Sequence, residues 1–514
     1  MRHGVTSMPG FGRARRGIGL SLFLACLAAA VADLLFYRHA LGISAVVFCV
    51  FLAGFVPIAN PIRVSVRTHL AVTAILLASL LPLVEHFSPL SLASGVVGLS
   101  IYTLVVTGVL SGNVIERAAA VVWQLLGGPV QLWAVIAKLH WLGRRKGASA
   151  FARGRLKEWA VPIFLGTIFL LLFRSANPLI EQWLAKLDVW RSIVELDFAR
   201  IAFWAIAVGM VWSFVRVRLR PRSSWTSDPV WVAPGAIAGE AAEHVLGANA
   251  VLRSLVVFNL LFAVQSGFDI AYLWAGARLP AGMTYASYAH RGAYPLIVTA
   301  LLAAAFVLIA LRPGSDAERS PLLRGLVYLW TGQNVLLVIS SVLRLNVYVE
   351  VYSLTYWRIA AFIWMCLVAA GLILILARIA LGRSSLWLIS RTLAVAAATL
   401  YVCAYVNFAH VVAAYNVSHS GRSSRALQSL DTSYLCDLGP DAMRAMGMGI
   451  ADATGLNILE RSALEHCLRD SASRHRLHMQ DWRGWSFRGW RLMQYLDVRE
   501  RTKPEAPAPS GWRY

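Results

Sequence analysis

Four ionisable side chains stand inside stretches that are otherwise apolar: Asp33, Asp269, Arg344 and His410. In hydrocarbon such groups are costly, and they face protein or a water-filled cavity, pair with one another, or line a path for an ion or proton. Gln265 lies four residues before Asp269, one helical turn away and on the same face. Gln333 lies eleven residues before Arg344, which at 3.6 residues per turn returns close to one face. An Asp269–Arg344 ion pair is the expected contact. It would either tie two helices together or mark a polar cavity. A second chemistry-bearing cluster is TYASYAHRGAYPLI, residues 284–297, where Tyr285, Tyr288, His290 and Arg291 precede an apolar run. It reads as a candidate ligand or partner surface, or as the aromatic and basic collar of a membrane helix. A related loop, YVEVYSLTYWRIAAF, follows at 348–362.

The elements that must position these groups are membrane helices. The chain has 514 residues, 58% hydrophobic and only 14% charged, and its mean hydropathy is +0.61. Soluble domains carry about 25% charged residues, so the composition indicates a polytopic, all-α membrane protein. The net charge of +22 does not imply nucleic acid, because the basic residues are spread over many short loops, where they orient a membrane protein. The lipid bilayer is the expected partner, with a periplasmic or membrane protein as a second.

About twenty apolar residues cross the hydrocarbon core. Eleven stretches qualify: Ile18–Tyr37, Ile43–Ala59, His69–Val84, Leu90–Leu110, Trp159–Phe173, Phe198–Val215, Ser254–Ala275, Ala293–Leu311, Leu326–Arg344, Ile359–Ile379 and Thr392–Tyr415. They form a transmembrane domain, 18–415, after a basic N-terminus, 1–17. With that N-terminus in the cytoplasm, the cytoplasmic segments hold 25 Lys and Arg, the outer loops 9 and the tail 14. The positive-inside rule then places the tail in the periplasm of a bacterial inner membrane. It also puts Asp33, Asp269, Arg344 and His410 in the outer third of the bilayer.

Two segments depart from simple spans. Residues 114–142 are apolar but interrupted at Gly127-Gly128-Pro129. Two arms too short to span predict an interfacial or re-entrant hairpin. Residues 177–197 have Leu179, Trp183, Leu187, Trp190 and Val194 at helical spacing between charges, as an amphipathic helix on the outer surface would. Beyond residue 416 charge becomes frequent. A small helical domain is expected over 416–500, and a disordered end over 501–514.

Cys436 and Cys467 lie in the tail, where an oxidising compartment could join them. The sequence offers no CxxC, HExxH or compact His/Cys cluster for a metal, and no P-loop, GxSxG or GxGxxG for catalysis or a cofactor. Glu85, His86, His290, Glu350 and Asp481 are outer acid or base groups with no spacing that makes a site of them. The leading reading is a non-enzymatic membrane protein with an outer binding surface, in sensing or assembly. A transporter or flippase built around Asp269 and Arg344 is the alternative, and a membrane-embedded transferase comes third.

The stretch FNLLFAVQSGFDIAYLWAGARLPAGMTYASYAHRGAYPLI resembles a bacterial membrane-protein family, domain of unknown function 4173. The likeness continues through VYLWTGQNVLLVISSVLRLNVYVEVYSLTYWRIAAFIWM, and it includes YNVSHS and the tail's DWRGWSFRGWRL. It covers roughly residues 250–490. The resemblance implies a polytopic inner-membrane protein and supplies no activity, cofactor or catalytic residue.

Overall fold

A long uncharged segment in lipid must satisfy its backbone hydrogen bonds internally, and a helix does so. The computed structural model describes residues 11–144, 197–217, 248–274, 320–420, 430–452 and 456–502. Among them there is helix and no strand. The membrane helices are α1 (Phe11–Phe36), α2 (Ile43–Ala59), α3 (Val66–Glu85), α4 (Pro89–Val106), α5 (Val114–Arg144), α6 (Phe198–Val215), α7 (Ala248–Asp269, continued by a π-helical turn, Ile270–Trp274), α8 (Pro321–Tyr352), α9 (Tyr356–Ala380) and α10 (Ser385–Cys403). The tail adds α11 (Phe408–His419), α12 (Thr432–Asp437), α13 (Met443–Asp452), α14 (Ile458–Gln480) and α15 (Phe487–Arg501). Among the described residues eight helices are long and apolar enough to cross a membrane, and α2 and α6 are shorter apolar helices. The protein is a polytopic, membrane-embedded helical protein.

Local sequence sets the helix starts. Ser88 and Ser91 form a reciprocal capping box ahead of Pro89 at the first position of α4. Ser65, Asp197 and Ser384 cap α3, α6 and α10 by accepting a backbone N–H.

The expected hairpin at 114–142 is a single helix. α5 runs 31 residues straight through Gly127-Gly128-Pro129. A Cβ on Gly128 would collide with the carbonyl oxygen of Gly209 in α6, and a Cβ on Gly209 would meet the Pro129 ring. The glycines therefore permit a close helix crossing, as small residues do in membranes, rather than a turn. Gln124 Nε2 donates to the Ser213 carbonyl at 2.7 Å, four residues before Gly128 on one helix and four after Gly209 on the other, so α5 and α6 are antiparallel. As a crossing helix, α5 carries Lys138 to the end at which α6 starts, so the expected alternation of basic loops fails at that point.

The eleventh expected span also divides. α10 ends at Cys403 and α11 begins at Phe408. Asn407 starts the new helix: its Oδ1 accepts the His410 N–H at 2.9 Å, and its Nδ2 donates to the Asp441 carbonyl at 3.0 Å. His410 thus belongs to the tail assembly and not to a spanning helix. Trp159–Phe173, Ala293–Leu311, the amphipathic stretch apart from Asp197, and the 284–297 cluster with Tyr285, Tyr288, His290 and Arg291 lie outside the described residues.

Buried apolar side chains among the described residues form three clusters. One joins α1–α4 with α6. A second joins α7 and α8, with Ile379 of α9 against it. The third is the tail's core: Leu435, Met443, Met446, Leu464 and Leu496 pack with Val412 of α11 and with Val349 and Leu354 at the α8–α9 turn. The tail's core thus begins at α11, ahead of residue 416, and it incorporates the tip of a membrane hairpin. α10 lies on α9 and touches α4 and α5.

Candidate functional site: the seam between the tail and the helix ends

The tail meets the N-terminal helices at the α1–α2 and α3–α4 connections. Arg488, in the first turn of α15, is its centre. Its Nη1 donates to Asp441 Oδ2 at 3.1 Å, its Nη2 donates to the Tyr405 carbonyl at 2.8 Å, and its Nε lies 3.4 Å from Glu85 Oε1. Arg491, one turn of α15 away, pairs with the same Glu85 oxygen. His86 Nε2 lies 3.3 Å from Asp441 Oδ2. One buried guanidinium thereby joins the end of α3, the chain after α10 and the turn Pro440–Ala442. A guanidinium presents five donors in a rigid fork, so a single Arg488 can hold three acceptors that lysine could not hold in the same geometry.

A second set of contacts fixes the α1–α2 connection. Ile43 N–H donates to the Trp485 carbonyl at 2.7 Å. Arg483 Nε donates to the Leu34 carbonyl at 2.9 Å, and His39 Nδ1 lies 3.4 Å from Asp481 Oδ2. A Cβ on Gly42 would lie 2.5 Å from the Gly484 backbone, so only glycine fits there.

The electrostatics follow from burial. His86 is pushed below its ordinary value of 6.5, first by burial and then by Arg488, with Asp441 and Glu85 opposing. His475 and His410 shift the same way, each mainly through burial. Hydrogen bonds donated by the Arg483 backbone and side chain hold the Asp481 carboxyl below its usual range. Burial thus favours the neutral imidazoles, while Asp481 keeps its charge among fixed donors. Of the acid and base groups expected from the sequence, Glu85, His86 and Asp481 are occupied in this seam. Glu350 accepts a hydrogen bond from Asn346 Nδ2 at 3.0 Å.

Two intramembrane ion pairs tie helices together, and one of them, at Asp33, adjoins the seam at Leu34. Asp269 and Arg344 are 1% and 5% exposed and form an ion pair between α7 and α8. Gln265 Nε2 donates to Asp269 Oδ1 at 3.1 Å, and Gln333 Nε2 donates to the Asn259 carbonyl at 3.0 Å. Contacts 259 to 333 and 269 to 344 run in the same sense, so α7 and α8 are parallel. Asp33 pairs with Arg200 in the first turn of α6, beside a Tyr37–Asp197 hydrogen bond and an Arg38–Asp197 pair at 3.1 Å. Among the described residues no three His, Cys, Asp or Glu come together to hold a metal ion. Cys436 and Cys467 are joined as a disulfide, with Cα atoms 5.9 Å apart, tying α12 to α14.

Arg488, Arg491, Asp441 and Arg200 were not singled out from sequence. Arg200 carried a signal, as an arginine three residues into an apolar run. The others sit in a polar tail where charge is ordinary.

No curated protein and no solved structure matches the chain. The model of the family described as Domain of unknown function (DUF4153) matches residues 42–449, from the α1–α2 connection into α13. That corrects the expected number, 4173, and extends the likeness to the N-terminal helices and their side of the seam. The chain belongs to the family described as Domain of unknown function (DUF4153).

Proposed function

We propose that this is a non-enzymatic bacterial inner-membrane protein whose tail lies in the periplasm and presents a surface to an envelope partner or ligand, in sensing or assembly. The observation that carries the reading is the seating of the tail on two separately cored helix groups. The Arg488 seam holds it to the ends of α1–α4, and its own core takes in the α8–α9 turn. Whatever binds the tail is thereby mechanically connected to both groups. Ile458 and Leu459, at the start of α14, are 87% and 81% exposed and offer adjacent apolar contacts for a protein partner. The four basic residues of the first seventeen support a cytoplasmic N-terminus, and the disulfide supports a tail in an oxidising compartment.

A photocrosslinking residue at Ile458 or Leu459 tests this in native envelopes. A discrete adduct is expected, and it should be lost in Arg488→Ala protein that still accumulates. No adduct, or one indifferent to Arg488, sinks the reading. Reduced Cys436 and Cys467 in native envelopes, or a reporter after Tyr514 that works only in the cytoplasm, would overturn the orientation.

A specific observation favours a second reading, a transporter or flippase with an outward polar cavity. The helix changes to a π-helical turn immediately after Asp269, and Trp274 Nε1 donates to Ser340 Oγ at 3.3 Å beside it. Such turns often mark functional sites. Exchanging the pair, Asp269→Arg with Arg344→Asp, separates the cases. Protein level recovered without the strain's phenotype supports a cavity; recovery of both indicates a structural tie.

A further inference from the structure

α15 has two faces. Arg488, Gly489, Leu492 and Leu496 are buried against the rest of the protein. Phe487 and Trp490 on the other face are 40% and 41% exposed, and Trp482, just ahead of the helix, is 54% exposed. Two of these rings, Trp482 and Phe487, are paired with arginines. Arg483 Cζ lies 5.4 Å from the Trp482 ring centre and Arg491 Cζ lies 4.8 Å from that of Phe487. Phe487 and Trp490 stack at 5.6 Å.

The same arginines set the height of the rings. Arg483 is bonded to the carbonyl of Leu34, two residues before the end of the span Ile18–Phe36. Arg491 is paired with Glu85, the last residue of the span Val66–Glu85. The aromatic edge therefore stands at the level where two spanning helices end. Tryptophan with arginine is the chemistry of that level: the ring body sits among the upper acyl carbons, while the indole N–H and guanidinium reach water and phosphate. Ile458 and Leu459 have no ring–arginine pairing and no bond to a span end, so they do not share this argument.

We infer that Trp482, Phe487 and Trp490, with Arg483 and Arg491, form an interfacial edge by which the tail rests in the headgroup layer of the membrane its own helices span. The edge fixes the depth and tilt of the tail. It holds the Arg488 seam where lipid limits the access of water, independently of what the remaining surface binds.

The unsubstituted, full-length protein in phosphatidylcholine vesicles tests this, with a fraction of the lipid carrying a diazirine on the upper acyl chain. After photolysis, adducts are expected within residues 481–491 at a yield comparable with that at the end of α1. Adducts at the end of α1 with none in 481–491 would overturn the proposal. A second measurement places an environment-sensitive fluorophore at Trp490→Cys or Phe487→Cys, with Cys26, Cys49, Cys366 and Cys403 replaced and the disulfide retained. The control is Glu465→Cys, at the exposed Arg461–Glu465 pair of α14. A blue-shifted emission quenched by a shallow spin-labelled lipid is expected at 487 and 490, and neither effect at 465. Equal emission and quenching at all three positions would refute the edge. Loss of the outer-surface adduct at Ile458 leaves these readouts untouched, so the two ideas fail separately.

Discussion

The guanidinium of Arg488 lies 3.4 Å from the carboxylate of Glu85, across 403 positions of sequence. That contact joins the last helix of the tail to the end of the third membrane helix. Losing it should release the tail. Arg488→Ala leaves Glu85 and Asp441 part-buried near one another without their shared cation, a type of loss that costs roughly 3 kcal/mol or more. Arg488→Lys should recover only part, since an ammonium cannot hold three acceptors in this arrangement. Limited proteolysis between residues 403 and 487 reads the release. Cleavage at the wild-type rate in Arg488→Ala would remove Arg488 from the centre of the seam.

The seam should weaken in acid. His86 has a lowered pKa when the tail is docked, so the undocked state binds its proton first. Docking stability is then fully present above about pH 6.5, the unperturbed value, and declines as pH falls from there toward the depressed docked value. Each unit of depression corresponds to roughly 1.4 kcal/mol. His475 and His410 shift the same way among tail residues, and they add to the tail's own folding with the same sign. The proteolysis rate measured from pH 8 to pH 5 should rise, and His86→Gln should flatten part of that rise. A rate independent of pH would exclude the linkage.

The disulfide closes a 31-residue separation between α12 and α14. Restricting the unfolded chain over a loop of that length is worth roughly 3 to 4 kcal/mol. Thermal melting of the tail helices under reductant, or in Cys436→Ser with Cys467→Ser, should shift down by several degrees. The membrane helices should melt unchanged, because the bond lies wholly within the tail. A joint shift of both would mean that the tail and the bundle unfold as one unit.

Gly128 and Gly267 make a matched pair of substitutions. Gly128→Ala places a methyl into the Gly209 backbone and should force α5 from α6, lowering the detergent-solubilised melting temperature sharply. Gly267→Ala meets open space and should be neutral or slightly stabilising by helix propensity, by up to about 1 kcal/mol. Equal effects from the two would contradict the crossing at Gly128–Gly209.

The helical class was legible because twenty-residue apolar runs have one solution in lipid. Spans such as Ile43–Ala59 and Phe198–Val215 have observed ends equal to those expected; the second is bordered by local signals, the Asp197 cap and Arg216, and the first lies between Gly42 and Asn60. Gly127-Gly128-Pro129 misled because those residue types suit both a turn and a tight helix crossing. The choice lay in Gly209, eighty-one positions away. The pairing of Asp269 with Arg344 could be inferred, because few charges stand inside the apolar runs and few partners compete. The seam could not be, because Asp441, Arg488 and Arg491 look like any solvated residues of a polar tail.

By itself the sequence determined what the bilayer dictates: helices, their approximate borders, and the rarity of charge within them. Tertiary structure alone decided which of many ordinary charges meet. Ion pairing depends on distances of a few ångströms between residues hundreds of positions apart, and no local periodicity encodes that distance. Glu85 and Arg488 become partners only when α3 and α15 arrive at the same edge of the membrane.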